Sequence, residues 1–494
     1  MKPEIKKALR AVWLLSVLFF AAAFFLGCGG GKKQNSGDET TAGAPSEDTE
    51  AAPDRFLRVD PGLPEMDCGG YEFNILHWFV ALWNRDDCED IATEELNGDV
   101  FNDAVFNRNK AIEEKYNIKI ALTRMDINEI TNSIRKMVSA GDDNYDLVYQ
   151  RQHEVMAMVM NGMFYNLNEV PYIDFEKPWW DKRSVDDFSL GGKVYMAASD
   201  ISTTSQESIG CILFNKALAQ DYALENLYDV VARGDWTLDY VMEITKNTAK
   251  DLNGDGKLNN NDFIPFIGGD LLTTILFNGA GSRFAEKDEY DMPFCNFNTE
   301  RNIDVCNKIL DFMYNPQYYL NESDGAGEPM FRNNQSIFMT ALMMSVKTLR
   351  DMEMDFGVLP SPKYDKNQSE YHSSVSIHQS GLAAVPVTLS DPDRTGILVE
   401  ALSAESRYTV QPAYYEISLK GKYVRDEESA DMLDILFRTR LYDLGSVGHF
   451  GNFETEWLRI VSNKKRDIVS IYDKSEKMIQ SDIDKLIKAI EKLG

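Results

Sequence analysis

Hydrophobic and polar positions alternate with a changing period from Tyr71 onward. Residues 71–77 form a short apolar run that is rich in strand-forming side chains. Apolar residues then recur at helical spacing, at Phe101, Ala104, Val105, Ile112 and Tyr116. Asn117 breaks this helical pattern, and residues 118–122 are typical of a second strand. The pattern therefore predicts a strand, a helix and a second strand in succession.

A second helix and a third strand extend this series. Asp126 and Glu129 resemble a capping box at the start of the helix, and Gly141 is its stop signal. Residues 145–150 have the composition of a buried strand. Strands and helices in this order predict a parallel sheet with helices on both faces, which is an α/β fold. Ligands of such sheets bind beside the carboxyl ends of the strands.

Another series of elements begins near Gly210. Residues 209–214 and 356–359 resemble strands, residues 301–314 resemble a helix, and helical patterns dominate beyond Arg394. The chain of 494 residues is also longer than one hydrophobic core normally serves. The sequence therefore predicts more than one α/β domain.

The N-terminus has the pattern of an export signal. A basic head precedes an apolar stretch of about 16 residues, from Ala11 to Leu26, which is short for a bilayer span of about 20. Gly27-Cys28 follows and resembles the cleavage box of bacterial lipoproteins. That resemblance implies a signal peptide over residues 1–27 and a diacylglycerol on Cys28, which would hold the chain at the outer face of the cell membrane. The alternative is that this stretch stays in place as an uncleaved membrane anchor. In either case the rest of the chain is exported and held at a membrane.

A tether is predicted at residues 28–69. Residues 29–55 consist mostly of Gly, Ser, Thr, Glu, Asp, Ala and Pro. Such a segment buries too little apolar surface to offset its ordering entropy. We therefore expect a flexible connection between a lipid and a globular body that works near the membrane.

Charge and cysteine content exclude several classes of partner and structure. The net charge is −28, and it becomes −31 without residues 1–27, which hold four basic side chains and one acidic side chain. This charge repels phosphate backbones, so nucleic acid is not an expected partner. Apart from Cys28 the chain has five cysteines, an odd number that cannot form a complete disulfide framework, although Cys68 and Cys88 could pair.

Short motifs follow one another in a characteristic order between about residues 70 and 445. They are Asn102-Asp103-Ala104, Tyr145-Asp146-Leu147, Lys177-Pro178-Trp179-Trp180, Gly192-Lys193-Val194-Tyr195, Trp236-Thr237, Phe356-Gly357-Val358-Leu359-Pro360 and Pro412-Ala413-Tyr414-Tyr415-Glu416. Together they resemble the extracellular solute-binding proteins of the maltose-binding type, which serve ATP-driven (ABC) sugar importers.

The resemblance implies a two-lobed, periplasmic-binding-protein-like fold of type II with a ligand cleft between the lobes. Crossings between the lobes would lie near residues 200–209, 298 and 365. The first lobe would combine residues 70–199 with 298–365, and the second lobe would combine 210–297 with 366–494. The implied function is the capture of a carbohydrate, an oligosaccharide, by hinge closure of a monomer that hands it to the permease subunits.

Candidate ligand-binding residues follow from how proteins hold sugars, with aromatic faces and planar polar groups. The residues predicted on this ground are Trp78, Trp83, Gln150, Arg151 and Asp200, and the resemblance implies that Asn278, Gly281 and Tyr414 line the second-lobe side of the cleft. Several of them have a structural alternative. The two tryptophans could pack within the first lobe, Gln150 and Arg151 could be solvated, and Asp200 could cap a hinge.

Calcium is predicted at a twelve-residue loop that starts at Asp251. Oxygen ligands occupy loop positions 1, 3, 5, 9 and 12, position 7 offers its carbonyl, and Gly256 stands at position 6. The expected ligands are Asp251, Asn253, Asp255, Lys257, Asn259 and Asp262. No open coordination position is implied, so the Ca²⁺ ion would be structural. A metal-free turn is the alternative.

Sequence signatures of catalysis are missing. The chain has no HExxH zinc helix, no GxSxG elbow and no P-loop spacing, and its five histidines show no cluster along the sequence. We therefore expect a binding protein without enzymatic activity. Two alternatives stay open, a secreted lipid-anchored glycosidase with a carboxylate pair and a protein that presents its ligand to a sensor kinase.

Overall fold

The described residues of the computed structural model contain two large β-sheets and two small sheets of two short strands each. These residues are 57–79, 89–322, 327–349, 352–415 and 427–493. The strands in chain order are β1 (Tyr71–Phe79), β2 (Ile118–Asp126), β3 (Leu147–Arg151), β4 (Gly210–Asn215), β5 (Phe266–Gly268), β6 (Glu286–Lys287), β7 (Pro293–Phe294), β8 (Tyr319–Asn321), β9 (Phe338–Leu342), β10 (Phe356–Leu359), β11 (Ser373–Ser374), β12 (Gly381–Ala384) and β13 (Arg440–Leu441).

Helices surround both sheets. In chain order they are α1 (Val100–Tyr116), α2 (Ile127–Ala140), α3 (Gln152–Val159), α4 (Lys182–Phe188), α5 (Thr204–Glu207), α6 (Lys216–Asp221), α7 (Leu227–Ala232), α8 (Leu238–Thr245), α9 (Leu272–Gly279), α10 (Glu300–Met313), α11 (Gly327–Arg332), α12 (Met344–Thr348), α13 (Pro392–Tyr408), α14 (Val410–Ala413), α15 (Glu427–Arg438), α16 (Leu444–Val447), α17 (Phe453–Ser462) and α18 (Ile468–Lys492). Among the described helices, none has the length and apolar character that a bilayer span requires.

The first sheet has the strand order β12-β3-β1-β2. Strand β1 pairs in parallel with β2 and β3, and β12 joins β3 in the antiparallel direction. Asp99 caps α1 by accepting the backbone amides of Phe101 and Asn102, and Asn117 ends that helix in the left-handed conformation. Asp126 caps α2 as expected, and Gly141 ends it at φ +74°. The predicted parallel β-α-β-α-β unit is confirmed.

The second sheet has the strand order β10-β4-β9-β5-β8. Its strands β8, β9 and β10 lie within residues 319–359, a segment that the resemblance assigned to the first lobe. That assignment of residues 298–365 is wrong, because β10 and β9 are hydrogen-bonded to β4 on its two sides. Residues 381–408, assigned to the second lobe, instead supply β12 and helix α13 to the first.

Chain crossings between the sheets follow from these pairings. Ala197 still pairs with β12 of the first sheet, whereas β4 of the second sheet starts at Gly210, so the first crossing lies within residues 198–209 as predicted. The return crossing follows β11 and reaches β12, at residues 375–380 and not near residue 365 as the resemblance implied. No crossing occurs near residue 298. The two sheets with their helices form a two-lobed α/β fold.

Residues 57–69 lie on the surface of the first lobe and have no regular secondary structure. The Arg58 guanidinium donates to Glu405 at 3.2 Å, and the amide of Val59 donates to the Tyr408 hydroxyl at 2.7 Å. These contacts hold residues 58 and 59 against α13. The predicted flexible tether of residues 28–69 therefore does not extend as far as residue 69. Residues 1–56 lie outside the described residues.

Tryptophans of the recognised motifs are structural. The indole nitrogens of Trp179 and Trp180 donate to the two carboxylate oxygens of Glu400, at 2.8 and 2.9 Å. The indole of Trp236 donates to the carbonyl of Pro360 at 2.9 Å. All three rings are buried. They lock loops onto helix α13 and onto the end of β10.

Candidate functional site

The predicted cleft residues at the edge of the first sheet have partners within the protein. Trp78 is fully buried and stacks on His77. Gln150 is also fully buried, and its amide donates to Thr131 Oγ1 at 3.2 Å while accepting the amide of Arg151. The guanidinium of Arg151 pairs with the Glu154 carboxylate. These side chains pack within the first lobe.

Asp200 and Tyr414 occupy structural positions near the first crossing. The Asp200 carboxylate pairs with the Arg407 guanidinium at 3.0 Å. Burial raises the pKa of Asp200 to about 6, although Arg407 opposes that rise. Tyr414 is buried and packs edge-on against Phe101. Asp200 therefore fastens the crossing to α13, and Tyr414 backs the wall of the cavity described below.

Asn278 and Gly281 lie in the second lobe. The Asn278 amide donates to the Ser282 carbonyl at 3.0 Å and to the Asp443 carboxylate at 3.2 Å, and its oxygen accepts the Ser374 hydroxyl. Gly281 adopts φ +77°, a conformation that favours glycine. Trp83, the lipidation residue Cys28 and the possible partner Cys88 lie outside the described residues.

A cavity of about 460 Å³ opens where the two lobes meet at the first crossing. The first lobe contributes Asp90 and Phe101, and the second lobe contributes Lys347. The crossing itself contributes Thr204 and Glu207, both on α5. This volume falls within the range of small-molecule sites, which are concave and join apolar walls to a few polar groups. The cavity is therefore the candidate binding site.

Asp90 is the most buried acid of this cavity, with 3% of its surface exposed. Its Oδ2 accepts the Ser202 hydroxyl and the Thr203 amide, each at 2.7 Å. Burial raises the pKa of Asp90 to about 6, against the effect of these hydrogen bonds. Among the described residues no group bonds Oδ1.

Lys347 and Glu207 bridge the second lobe and the crossing. The ammonium lies 2.6 Å from the Glu207 carboxylate and over the rings of Phe101 and Tyr414. Burial lowers the pKa of Lys347, but the Glu207 carboxylate more than offsets this and the pKa is raised. The Lys347 ammonium thus keeps its charge at neutral pH, and the pair forms one polar wall of the cavity.

Three of the five histidines meet at another contact between segments of the two lobes. The His153 ring on α3 lies 5.1 Å from the His378 ring in the return crossing and 5.3 Å from the His449 ring beside α16. His153 Nε2 also lies 2.9 Å from the Glu154 carboxylate. Burial lowers the pKa of His378 to about 4 and also lowers the pKa of His449. Their spacing in the sequence gave no sign of this cluster.

The acidic loop at residues 251–262 is closed by its first and last carboxylates. Asp251 accepts the amides of Gly254 and Gly256, and Asp262 accepts the amides of Leu252 and Asn259 at 2.9 Å each. Among the described residues, no group of three or more His, Cys, Asp or Glu side chains is placed to hold a metal ion. The expected donor set also includes two Asn side chains and one carbonyl, all of them oxygen ligands that suit calcium.

Sequence reasoning missed the acids and the lysine of the cavity. Asp90 comes 11 residues after the end of β1, Glu207 lies in the crossing, and Lys347 follows β9, so more than 100 residues separate each from the next. The one available signal was the acidic run ending in Glu89-Asp90 after the first strand. The sheet order that brings the three side chains together is not encoded in any local pattern.

Comparisons with known proteins identify relatives of this fold. A family model described as bacterial extracellular solute-binding protein matches residues 107–405. Among solved structures, a cyclo/maltodextrin-binding protein in complex with maltotetraose has a TM-score of 0.57 at 12% identity, over 84% of this chain and 99% of that chain. None of the curated proteins compared with this chain matches it.

Two further solved structures show the same fold with other ligands. UgpB from Mycobacterium tuberculosis, in complex with glycerophosphocholine, has a TM-score of 0.54 at 15% identity, over 84% of this chain and 99% of that chain. The cyclic alpha-maltosyl-1,6-maltose binding protein from Arthrobacter globiformis has a TM-score of 0.52 at 12% identity, with the same coverage. At these identities the likeness shows the two-lobed fold and leaves the solute open.

Proposed function

Because this chain belongs to the bacterial extracellular solute-binding proteins, we propose that it captures a carbohydrate, an oligosaccharide, and delivers it to the permease of an ABC importer. The observation that carries this proposal is the cavity of about 460 Å³ between the lobes at the first crossing. Neighbours of the same fold that are described with maltotetraose or a cyclic maltosyl sugar support a carbohydrate.

Capture by hinge closure follows from the position of the cavity. A solute that contacts Asp90 and Phe101 on one lobe and Lys347 on the other favours the arrangement in which the lobes approach each other. The permease would recognise that closed form. The site needs no chemical step, so we propose that the solute leaves unchanged and that the protein is a monomer without enzymatic activity.

The test is a thermal-shift screen of the purified protein against a panel of neutral oligosaccharides. A solute at 100 times its Kd stabilises the folded protein by about 2.7 kcal/mol, which raises Tm measurably. Small-angle scattering should show a more compact protein with the hit than without it, and mass spectrometry should recover the sugar intact. Hydrolysed sugar would indicate the glycosidase alternative, and superimposable scattering curves would refute closure.

A measurement of solute uptake distinguishes delivery to a permease from presentation to a sensor kinase. Deletion of the gene should abolish cellular uptake of the radiolabelled hit. Unchanged uptake together with a lost transcriptional response would favour the sensor role.

Lipid anchoring through Cys28 would place the protein on the extracellular face of the cell membrane. The support is the apolar stretch that ends in Gly27-Cys28. A Cys28→Ala variant should move from the membrane fraction to the medium of cells that express it. Retention of that variant in the membrane fraction would favour an uncleaved anchor.

A structural calcium ion in the loop 251–262 is proposed on the chemistry of its donors. The amide of Gly256 already holds Asp251 in place and lowers its pKa, which keeps that carboxylate ionised. A bound Ca²⁺ ion would offset the negative charges of the loop carboxylates, which otherwise repel one another. Chelation should lower Tm in the wild type but not in an Asp251→Ala variant. An equal Tm before and after chelation of the wild type would reject the ion.

A further inference from the structure

A contact between the two lobes is built around three imidazole rings. His153 lies on α3 of the first lobe, His378 lies in the return crossing, and His449 follows α16 of the second lobe. The His153 ring is 5.1 Å from the His378 ring and 5.3 Å from the His449 ring. Helix α3 packs against α16 at this place. A charge on any of these rings therefore acts across the contact between the lobes.

Both ring nitrogens of His153 face hydrogen-bond acceptors. Nδ1 lies 3.3 Å from the Ile377 carbonyl oxygen, and Nε2 lies 2.9 Å from the Glu154 carboxylate. Only the imidazolium form of a histidine donates from both nitrogens. The Glu154 carboxylate also pairs with the Arg151 guanidinium. One acid thus serves two cations on the first lobe, so a further positive charge beside His153 would be left without a counter-charge.

The rings of His378 and His449 stand in a different environment. Among the residues that the structure describes, no carboxylate pairs with either ring. Burial and the neighbouring His153 lower the pKa of both, that of His378 to about 4. The backbone of His449 adopts φ +48°, a left-handed conformation that is costly for a residue other than glycine. The surrounding fold therefore holds this ring at the contact against backbone strain.

Two acids of the second lobe line a small cavity beside His378, and neither pairs with its ring. Asp443 instead accepts the side-chain amide of Asn278 and the backbone amide of Phe284, which fastens the start of α16 to the second lobe. Burial raises the pKa of Glu454 to about 7, so this side chain holds a proton in mild acid. Positive charge that builds up on the imidazoles is therefore not cancelled from this side.

We propose that this contact is a proton-operated catch between the lobes: in mild acid, protonation of His378 and His449 beside the His153 imidazolium drives α3 away from α16 and favours an open arrangement. Once the lobes part, water reaches the rings and the charged form is no longer penalised. Below about pH 6.5 the open form then binds more protons than the closed form, and its share rises by linkage. Easier release of a captured solute in acid follows, and only that consequence rests on the proposed function.

The test is small-angle scattering of the solute-free protein at pH 7.5 and 5.0, with circular dichroism of the same samples. If opening restores the ordinary pKa of 6.5 to His378, the ratio of open to closed protein rises about 25-fold between these pH values. We expect a larger radius of gyration at pH 5.0 with an unchanged helical signal. His378→Gln and His449→Asn cannot take up the proton, and Asn tolerates the left-handed backbone of position 449. Each variant should lose part of the expansion, and the double variant should lose nearly all of it.

The matched control is His372→Gln, which should expand as the wild type does. His372 is also a half-buried histidine with a lowered pKa, but its ring lies beside Gly281 in the second lobe. Equal radii of the wild type at both pH values would overturn the proposal. Expansion that persists in the double variant, or that comes with a loss of helical signal, would overturn it as well. Either single variant suffices for the comparison if the double variant does not fold. No solute is added, so these outcomes leave the proposed capture of an oligosaccharide untouched.

Discussion

Glu400 should make the first lobe less stable as the pH rises, which is the reverse of the effect of an acid whose pKa is lowered by folding. The carboxylate is fully buried and accepts the indole N–H groups of Trp179 and Trp180. Burial raises its pKa from 4.5 to about 7, although both indole hydrogen bonds lower it. The folded state thus holds a proton on Glu400 at pH values where the unfolded chain has released it.

The magnitude follows from linkage. Between about pH 4.5 and 7 the folded protein binds more protons than the unfolded chain, so the stabilisation is complete below pH 4.5 and is lost as the pH rises through 7. A difference of 2.5 pKa units corresponds to about 3 kcal/mol in the free energy of unfolding. Glu400→Gln cannot titrate. As the pH falls from 8.5 to 4.5, the free energy of unfolding of the wild type should therefore rise by about 3 kcal/mol relative to that of this variant.

Urea denaturation followed by circular dichroism at several pH values measures this difference, because all other titrating groups are common to both proteins. Trp180→Phe serves as the matched variant. It removes one donor that favours the ionised carboxylate, so the midpoint of the pH effect should move upward. Parallel pH profiles for the wild type and Glu400→Gln would refute the reasoning.

Two other predictions concern the lobe contact and the packing of α13. His378 lies beside His153 and His449, and burial lowers its pKa from 6.5 to about 4. Between these pH values the unfolded chain binds a proton that the folded protein does not, so the free energy of unfolding should fall by up to about 3 kcal/mol as the pH drops from 6.5 to 4. His378→Gln should flatten that part of the profile, and an unchanged slope in urea titrations would contradict the assignment. A methyl group on Gly396 would lie 1.8 Å from the Pro171 carbonyl oxygen, so Gly396→Ala should cost about 3 kcal/mol. Gly269→Ala, where no atom lies within 4 Å, should change Tm little, and equal Tm values for the two variants would show that α13 can shift freely.

Local pattern was enough to predict the three parallel strands of the first sheet and the caps of α2. Asp126 and Gly141 bound α2 where the capping signals placed them, and β10 spans the predicted residues 356–359. These features depend on neighbours a few residues apart, since capping bonds and hydrophobic period are local. The motif resemblance likewise led to the correct family and fold class.

Lobe membership could not be predicted from the same patterns. Residues 338–342 read as an apolar strand in either lobe, and only pairing with β4 shows that they belong to the second sheet. The choice among partner strands depends on packing across the whole sheet and leaves no mark in the strand itself. The same holds for Trp78 and Gln150, which the sequence placed at a ligand edge and the fold buries.

By itself the sequence determined the acidic character and was enough to predict the first strands and helices and the α/β class, because each is set by composition or by residues close along the chain, whereas the export signal stays a prediction. Tertiary structure alone decided which strands share a sheet, that Asp90 and Lys347 face one cavity, and that three histidines meet between the lobes. The physical reason is distance along the chain: a binding site needs side chains held within a few ångströms by several separate segments, and only the packed fold fixes their positions.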